Sequence, residues 1–205
     1  MENIFWYDSE TTGLDKKKHQ IISFAVVVTD QKFNVIDQYF KFVKLNGTSE
    51  ITKEAMDVNK IDLNSKEYLD NAISEAQLLY EVSHFILKHK TQKSVSMAHN
   101  GQFDDGFYEE IVLKFSAKNI FSFLHKKLCS LKYFRKLISS GLIDTKEVEN
   151  KTTGQKYKSS KLEHLTEALK IDHTAHHALG DVLALIQVYK KAIKLEKNID
   201  YFEIY

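Results

Sequence analysis

Proline is absent from the 205 residues. Loops must therefore be stopped by glycine, asparagine, aspartate and serine, and no functional reading attaches to the absence. Cysteine is nearly absent as well. The single thiol of Cys129 rules out a disulfide framework and a cysteine-rich zinc site, so a reducing compartment, the cytoplasm, is the natural expectation. No apolar run approaches the ~20 residues of a membrane span. Met-Glu-Asn leads straight into a short strand without the basic region and longer apolar run of a signal peptide. No membrane partner is expected. A strong overall charge is missing too: the formal net charge is +1, so any attraction for a polyanion must be local, through a patch or a bound metal. There is no internal repeat and no low-complexity tract. What is present is 43% hydrophobic residues, enough for one substantial core, and a single domain over residues 1–205 is expected rather than two.

The most informative stretch is residues 4–14, an apolar run (Ile4, Phe5, Trp6, Tyr7) that ends in Asp8 and Glu10 and then turns through Thr11, Thr12, Gly13 and Leu14. Side chains alternate faces along a strand, so Asp8 and Glu10 project to the same side. Two carboxylates at a strand's end suit a hard divalent cation, and Gly13 permits close backbone approach to whatever it holds. Taken alone, the stretch fits a surface strand end equally well.

Residues 20–29 are rich in β-branched residues and read as a mostly buried strand. Residues 35–43 supply a third, completing an antiparallel meander. Lys16, Lys17, Lys18 and His19 lie on the first connection and read as a solvated turn. One brief helix is expected within 45–65. Residues 71–90 carry apolar positions at helical spacing, and 94–98 form a fourth strand. Strand, helix, strand at this spacing indicates an α/β sheet with parallel neighbours joined by crossover helices. A helix to about Phe115 follows, with Asp104 at its start and Asp105 as the competing acid. Residues 126–139 hold a short apolar stretch and a basic helix. Residues 145–161 carry five lysines and read as a mobile, solvated loop. A short helix over 162–171 and a long one from Ala178 to about Leu195 complete the chain. Asp181 falls in the first turn of the last helix. His176, five residues earlier, is off that helical face at about 100° per residue, and so sits on the preceding loop, free to swing over the acid.

Asp8, Glu10, Asp104 and Asp181 thus arrive from three segments, each acid at a strand end or helix start. Converging without counter-charge they would repel one another, and two divalent cations would cancel minus four with plus four. Oxygen ligands favour Mg²⁺ or Mn²⁺ over zinc. A pair of such ions roughly 3.5–4 Å apart clamps the attacking and leaving oxygens of a phosphodiester displacement. His176 could then take the proton from the attacking water.

Asp8-Ser-Glu10-Thr-Thr-Gly-Leu, His99-Asn-Gly-Gln-Phe-Asp104 and Ala175-His176-His-Ala-Leu-Gly-Asp181 resemble, in order and spacing, the three motifs of the DEDDh 3′-5′ exonucleases. That group includes the epsilon proofreading subunit of bacterial DNA polymerase III, ribonuclease T and oligoribonuclease. The resemblance implies a ribonuclease H-like α/β fold, a mixed five-stranded sheet flanked by helices. It implies metal ligation by Asp8, Glu10, Asp104 and Asp181, with His176 as general base in preference to His177 or His173. It implies a grip on a 3′-terminal nucleotide by Thr11, Thr12, Gly13 and Leu14, with Leu14 beside the terminal base, Asn100 steadying the strand and Phe103 packing. The partner implied is DNA or RNA with a free 3′ end, degraded to nucleoside 5′-monophosphates.

Two residues depart from the family pattern: Ser9 stands where an apolar residue is common, and Lys53 where many relatives have proline. Neither is expected to touch a proposed ligand. The rival readings are a zinc site on His173 and His177, four apart on one helix face, and a catalytically silent nucleic-acid-binding module on the same fold. A third is a recruiting subunit docked on a polymerase or another nucleic-acid enzyme. No recruiting tail is expected, because the chain ends at Tyr205.

Overall fold

The computed structural model describes residues 2–196; the expectation about the tail before Tyr205 lies outside the described residues. Strands β1 (Ile4–Thr11), β2 (Ile21–Thr29) and β3 (Val35–Phe42) form the antiparallel meander. On the other side of β1, β4 (Val95–Ala98) adds in parallel and β5 (Lys126–Cys129) adds in parallel to β4. The order β3-β2-β1-β4-β5 makes one mixed five-stranded sheet flanked by helices. The opening strand is therefore central: Trp6 lies between Val27 on β2 and Met97 on β4. All nine residues of β2 are buried, as its continuous β-branched run requires of a strand covered on both faces.

Alternation along β1 sorts the core into two clusters, one on each face of the sheet. Phe5 and Tyr7 face the helix α3 (Glu75–His89) and the helix α4 (Gln102–Lys114), packing with Phe24, Leu78, Tyr108 and Phe121. Ile4 and Trp6 face α5 (Ser130–Ser139), α6 (Leu162–Ala168) and α7 (Ala178–Leu195), packing with Phe134, Leu165, Val182 and Tyr189. Among the described residues no helix is long and apolar enough to cross a membrane.

Three local features differ from expectation. The brief helix α1 (Lys53–Asn59) is joined by an unforeseen α2 (Lys66–Asn71), started by the Ser65 hydroxyl accepting the Tyr68 N–H. The helix expected from residue 71 begins only at Glu75. Ile73 is drawn into a parallel bridge with Val43, and Ser74 then caps the helix by accepting from the Gln77 N–H. Residues 145–161 are not an open loop. They form a hairpin of β6 (Glu147–Glu149) and β7 (Lys156–Lys158), in which Glu147 faces Lys158 and Glu149 faces Lys156. Opposite charges directly across an antiparallel pair favour pairing, and the sequence reading weighed the lysine density without that register.

Trp6 ties this scaffold to the last helix. It is fully buried, donates its indole N–H to Thr29 Oγ1 at 2.9 Å and meets Tyr189 of α7 edge-on at 5.4 Å. Trp6→Ala is expected to cost about 3–5 kcal/mol of stability, read from the urea midpoint; an unchanged midpoint would refute the packing role.

Candidate active site

Asp8 and Glu10 continue the stripe of Ile4 and Trp6, so they extend toward the α7 face beyond the apolar core. The strand ends in a register shift between Glu10 and Thr11, a bulge that releases the chain from the ladder. Asp181 lies in the first turn of α7 on the same face, and its carboxylate holds the preceding loop: Oδ2 accepts the N–H groups of His176 at 3.0 Å and His177 at 3.1 Å. Asp104, in the first turn of α4, arrives from the other face. There its Oδ1 accepts from the Ser9 N–H at 3.0 Å and the Ser9 hydroxyl at 2.6 Å. Both helix starts favour an acid through the macrodipole. Asp105 points away, bonded to the Tyr7 hydroxyl at 2.9 Å and to Lys127 at 3.0 Å.

The four carboxylates act on one another. Burial, followed by the charges of Asp104, Asp181 and Glu10, raises Asp8 well above the usual carboxylate range. Burial, then the charges of Asp181 and Asp104, pushes Glu10 up to about 8. Burial pushes Asp104 up to about 7 against the lowering effect of its bonds from Ser9. An acidic cluster that disfavours its own ionisation is the donor set a hard cation relieves. Glu10, His176 and Asp181 each offer a ligand atom, all within 4.8 Å of one another.

His176 sits on the loop before α7 at φ +68°, a left-handed backbone that a non-glycine residue adopts at a cost of order 1–3 kcal/mol. Its side chain is 43% exposed, with Nε2 3.7 Å from Glu163 Oε2. The other two histidines are occupied. His173, buried, bonds Asp181 Oδ1 through Nε2 at 2.5 Å, whereas His177 caps α7 through Gly180 and stacks on Phe40. Residues 173–177 are not helical, so the shared helix face required by the zinc reading does not exist.

The turn after β1 is built as a rigid lip. Thr11 donates its hydroxyl to the Gly13 carbonyl and Thr12 to the Glu50 carbonyl, and both threonines are buried. Their hydroxyls shape the turn. Gly13 carries the His19 ring so closely that an added Cβ would lie 2.4 Å from it. Leu14 stands 84% exposed beyond the lip. Asn100, also exposed, turns the chain at φ +63°, and Phe103 packs on Phe107 with ring centroids 4.9 Å apart.

Sequence reasoning missed three supports. Ser9 was expected to touch no proposed ligand, yet it bonds Asp104; the missing signal was that an acid from the opposite face could reach over the strand. His173 bonds Asp181, and Glu163 stands beside His176. Only the first was visible as a departure from pattern.

A mixed sheet of this order, with acids from both faces meeting beyond its central strand, is a ribonuclease H-like architecture. The model of the RNase T family, described as Exonuclease, matches residues 5–189, and the chain belongs to that family. The oligoribonuclease of Buchnera aphidicola subsp. Schizaphis graminum is 49% identical over 37 residues, 18% of this chain and 20% of that protein. The oligoribonuclease of Photobacterium profundum is 49% identical over 35 residues, 17% of this chain and 19% of that protein. These alignments span about a fifth of the relatives' length. E. coli exonuclease I in complex with a dT13 oligonucleotide superposes with a TM-score of 0.80 at 23% identity, covering 96% of this chain and 42% of that chain. Exonuclease I of Methylocaldum szegediense gives 0.77 at 21% identity, covering 96% and 41%. The structural likenesses concern the fold.

An acid raised in the folded state binds more protons folded than unfolded, so it lowers stability as pH rises between its two values. With Glu10 raised from 4.5 to about 8 and Asp104 from 3.8 to about 7, the chelator-treated protein should lose thermal stability from about pH 4 to pH 8. Asp8→Asn should flatten that loss in a melting series, and a profile equally steep in the variant would contradict the mutual repulsion. Ser9→Ala removes a bond made to ionised Asp104, so it should cost ~1.5–3 kcal/mol above pH 8 and little at pH 5. Equal losses at both would show that the hydroxyl does not favour the carboxylate.

Proposed function

We propose that the chain is a DEDDh-type 3′-5′ exonuclease that hydrolyses the terminal phosphodiester of DNA or RNA and releases nucleoside 5′-monophosphates. The observation that carries this reading is the convergence of four carboxylates from both faces of the sheet, Asp8, Glu10 and Asp104 among them raised by burial, beside a half-exposed, strained histidine. Asp8, Glu10, Asp104 and Asp181 would hold two divalent cations, Mg²⁺ or Mn²⁺. When bound, these supply charge neutralisation and Lewis acidity toward a phosphodiester.

The chain's own groups do the rest. His176 takes the proton of the attacking water on its imidazole, and Glu163 at 3.7 Å supports the positive charge that results. The lip from Thr11 to Gly13 sets the backbone against which a 3′-terminal nucleotide rests. Leu14 offers the terminal base an apolar edge, and Asn100, exposed at the turn into α4, steadies the strand. Phe103 acts through packing. Residues 1–205 form one domain in this reading, and any partner enzyme, a polymerase included, would dock on its surface. The free thiol of Cys129 accords with a reducing compartment such as the cytoplasm.

5′-labelled DNA and RNA oligonucleotides, single-stranded and duplex, should shorten from the 3′ end as a ladder with Mg²⁺ or Mn²⁺. The ladder should vanish with chelator and in Asp8→Ala. Internal cuts, or activity persisting in Asp8→Ala, would overturn the reading, and binding without cleavage would favour a silent module. His176→Ala should lower kcat by about 10²–10⁴ and abolish the rise in rate from acid toward neutral pH; a variant that keeps that rise would remove His176 as the base.

A further inference from the structure

Charge is segregated along this nearly neutral chain. Residues 126–161 hold ten basic side chains against three acidic ones, a surplus of seven positive charges in a protein whose total is +1. The remainder is therefore acidic by six. The segment runs in sequence through β5, the helix α5 and the hairpin β6–β7. Helix α5 buries Tyr133, Phe134 and Leu137 and leaves Lys132, Arg135 and Lys136 exposed. On β7, Lys156 and Lys158 flank Tyr157, and all three side chains are exposed, Tyr157 by 51%.

This basic region is joined to the candidate active site at both ends. At the base of the hairpin, the Ser160 carbonyl accepts from partly buried His99 Nε2 at 2.8 Å, and His99 directly precedes the Asn100 turn into α4. Arg135 reaches Ser160 Oγ at 3.4 Å, which ties α5 to the same point. Lys161 pairs with Glu163 at 3.5 Å, the carboxylate that also stands beside His176. At the other end Lys127 pairs with Asp105, the neighbour of Asp104. The hairpin ion pairs, Lys156–Glu147 at 3.7 Å and Lys158–Asp144 at 2.9 Å, lie at the surface, where such pairs bind weakly and exchange readily for phosphate.

We infer that the hairpin β6–β7 and the exposed face of α5 form a binding surface for the sugar-phosphate backbone of a single strand whose 3′ end lies in the acidic cluster. The inference rests on the exonuclease reading. An acidic cluster by itself repels the polyanion it is to receive; a fixed basic track leading to it supplies the local attraction that the net charge lacks. Lysines contact phosphates and Tyr157 offers a ring on which an unpaired base stacks, the combination by which single strands are held without sequence preference. Phosphates are common to DNA and RNA, so both are bound.

The test uses the full chain in chelator, where binding is read without cleavage, by fluorescence anisotropy of labelled DNA and RNA strands of about 4 and about 16 nucleotides. Replacing Lys151, Lys156 and Lys158 together by glutamine should weaken the longer strand tenfold or more at low salt and leave the shorter within twofold. The slope of log affinity against log salt should fall by about 2, three contacts at about 0.7 each. Glu147→Gln with Glu149→Gln should shift affinity for the longer strand the other way. Tyr157→Ala should weaken it where Tyr157→Phe does not. Equal effects on both lengths, or none, would overturn the inference, as would competition by polyglutamate as effective as that of an unlabelled strand of equal charge. Failure of the exonuclease reading looks different: length-dependent binding with no cleavage when Mg²⁺ or Mn²⁺ is restored.

Discussion

Repulsion among four carboxylates gathered at the C-terminal end of one central strand is the constraint around which this molecule is built. Bringing these acids together opposes folding, because burial and like charge both disfavour the ionised forms of Asp8 and Glu10, and burial disfavours that of Asp104. The scaffold offsets that cost by fixing each acid from outside the cluster. Asp104 is held by two bonds from Ser9, and Asp181 by His173 and two backbone N–H groups. Asp8 and Glu10 are held through the backbone of β1, which pairs with β2 at both acids and with β4 just before them, at Ile4 to Trp6.

That strand also decides which parts of the chain meet. Its alternation sends Ile4, Trp6, Asp8 and Glu10 toward α7 and Phe5, Tyr7 and Ser9 toward α4. The two helices that carry the remaining acids therefore lie on opposite faces, and the cluster closes only at the strand's C-terminal end. The packing that stabilises the fold and the geometry that gathers the acids share the same residues: Trp6 against Tyr189 sets how α7 lies on the sheet, and α7 carries Asp181.

The distribution of charge repeats this division of labour at a larger scale. The four clustered acids occupy a small region, while residues 126–161 carry a net surplus of positive charge and are pinned beside them through His99 and Lys161. A total of +1 conceals both. Composition thus says little about partners here, because the relevant field is local and its sign changes across the surface.

The strands, the long helices and the three acid-bearing segments were legible in the sequence, because their causes are local. A β-branched run, a helical stripe and an acid at a strand end each follow from residues near one another in the chain. Spacing alone also separated His176 from the final helix. The hairpin of 147–158 and the start of α3 at Glu75 were not legible, since cross-strand register and the bridge from Ile73 to Val43 join distant residues. The choice of Asp104 over Asp105, and the places of Ser9 and His173, depended on which side chain could reach across the sheet to a partner. The sequence by itself determined most of the strands and long helices, their order, and the segments that carry the candidate acids, through periodicity and local chemistry. Only the tertiary structure decided which neighbours hold those acids, because a carboxylate's environment is made by distant segments, as Ser9, 95 residues away, makes that of Asp104.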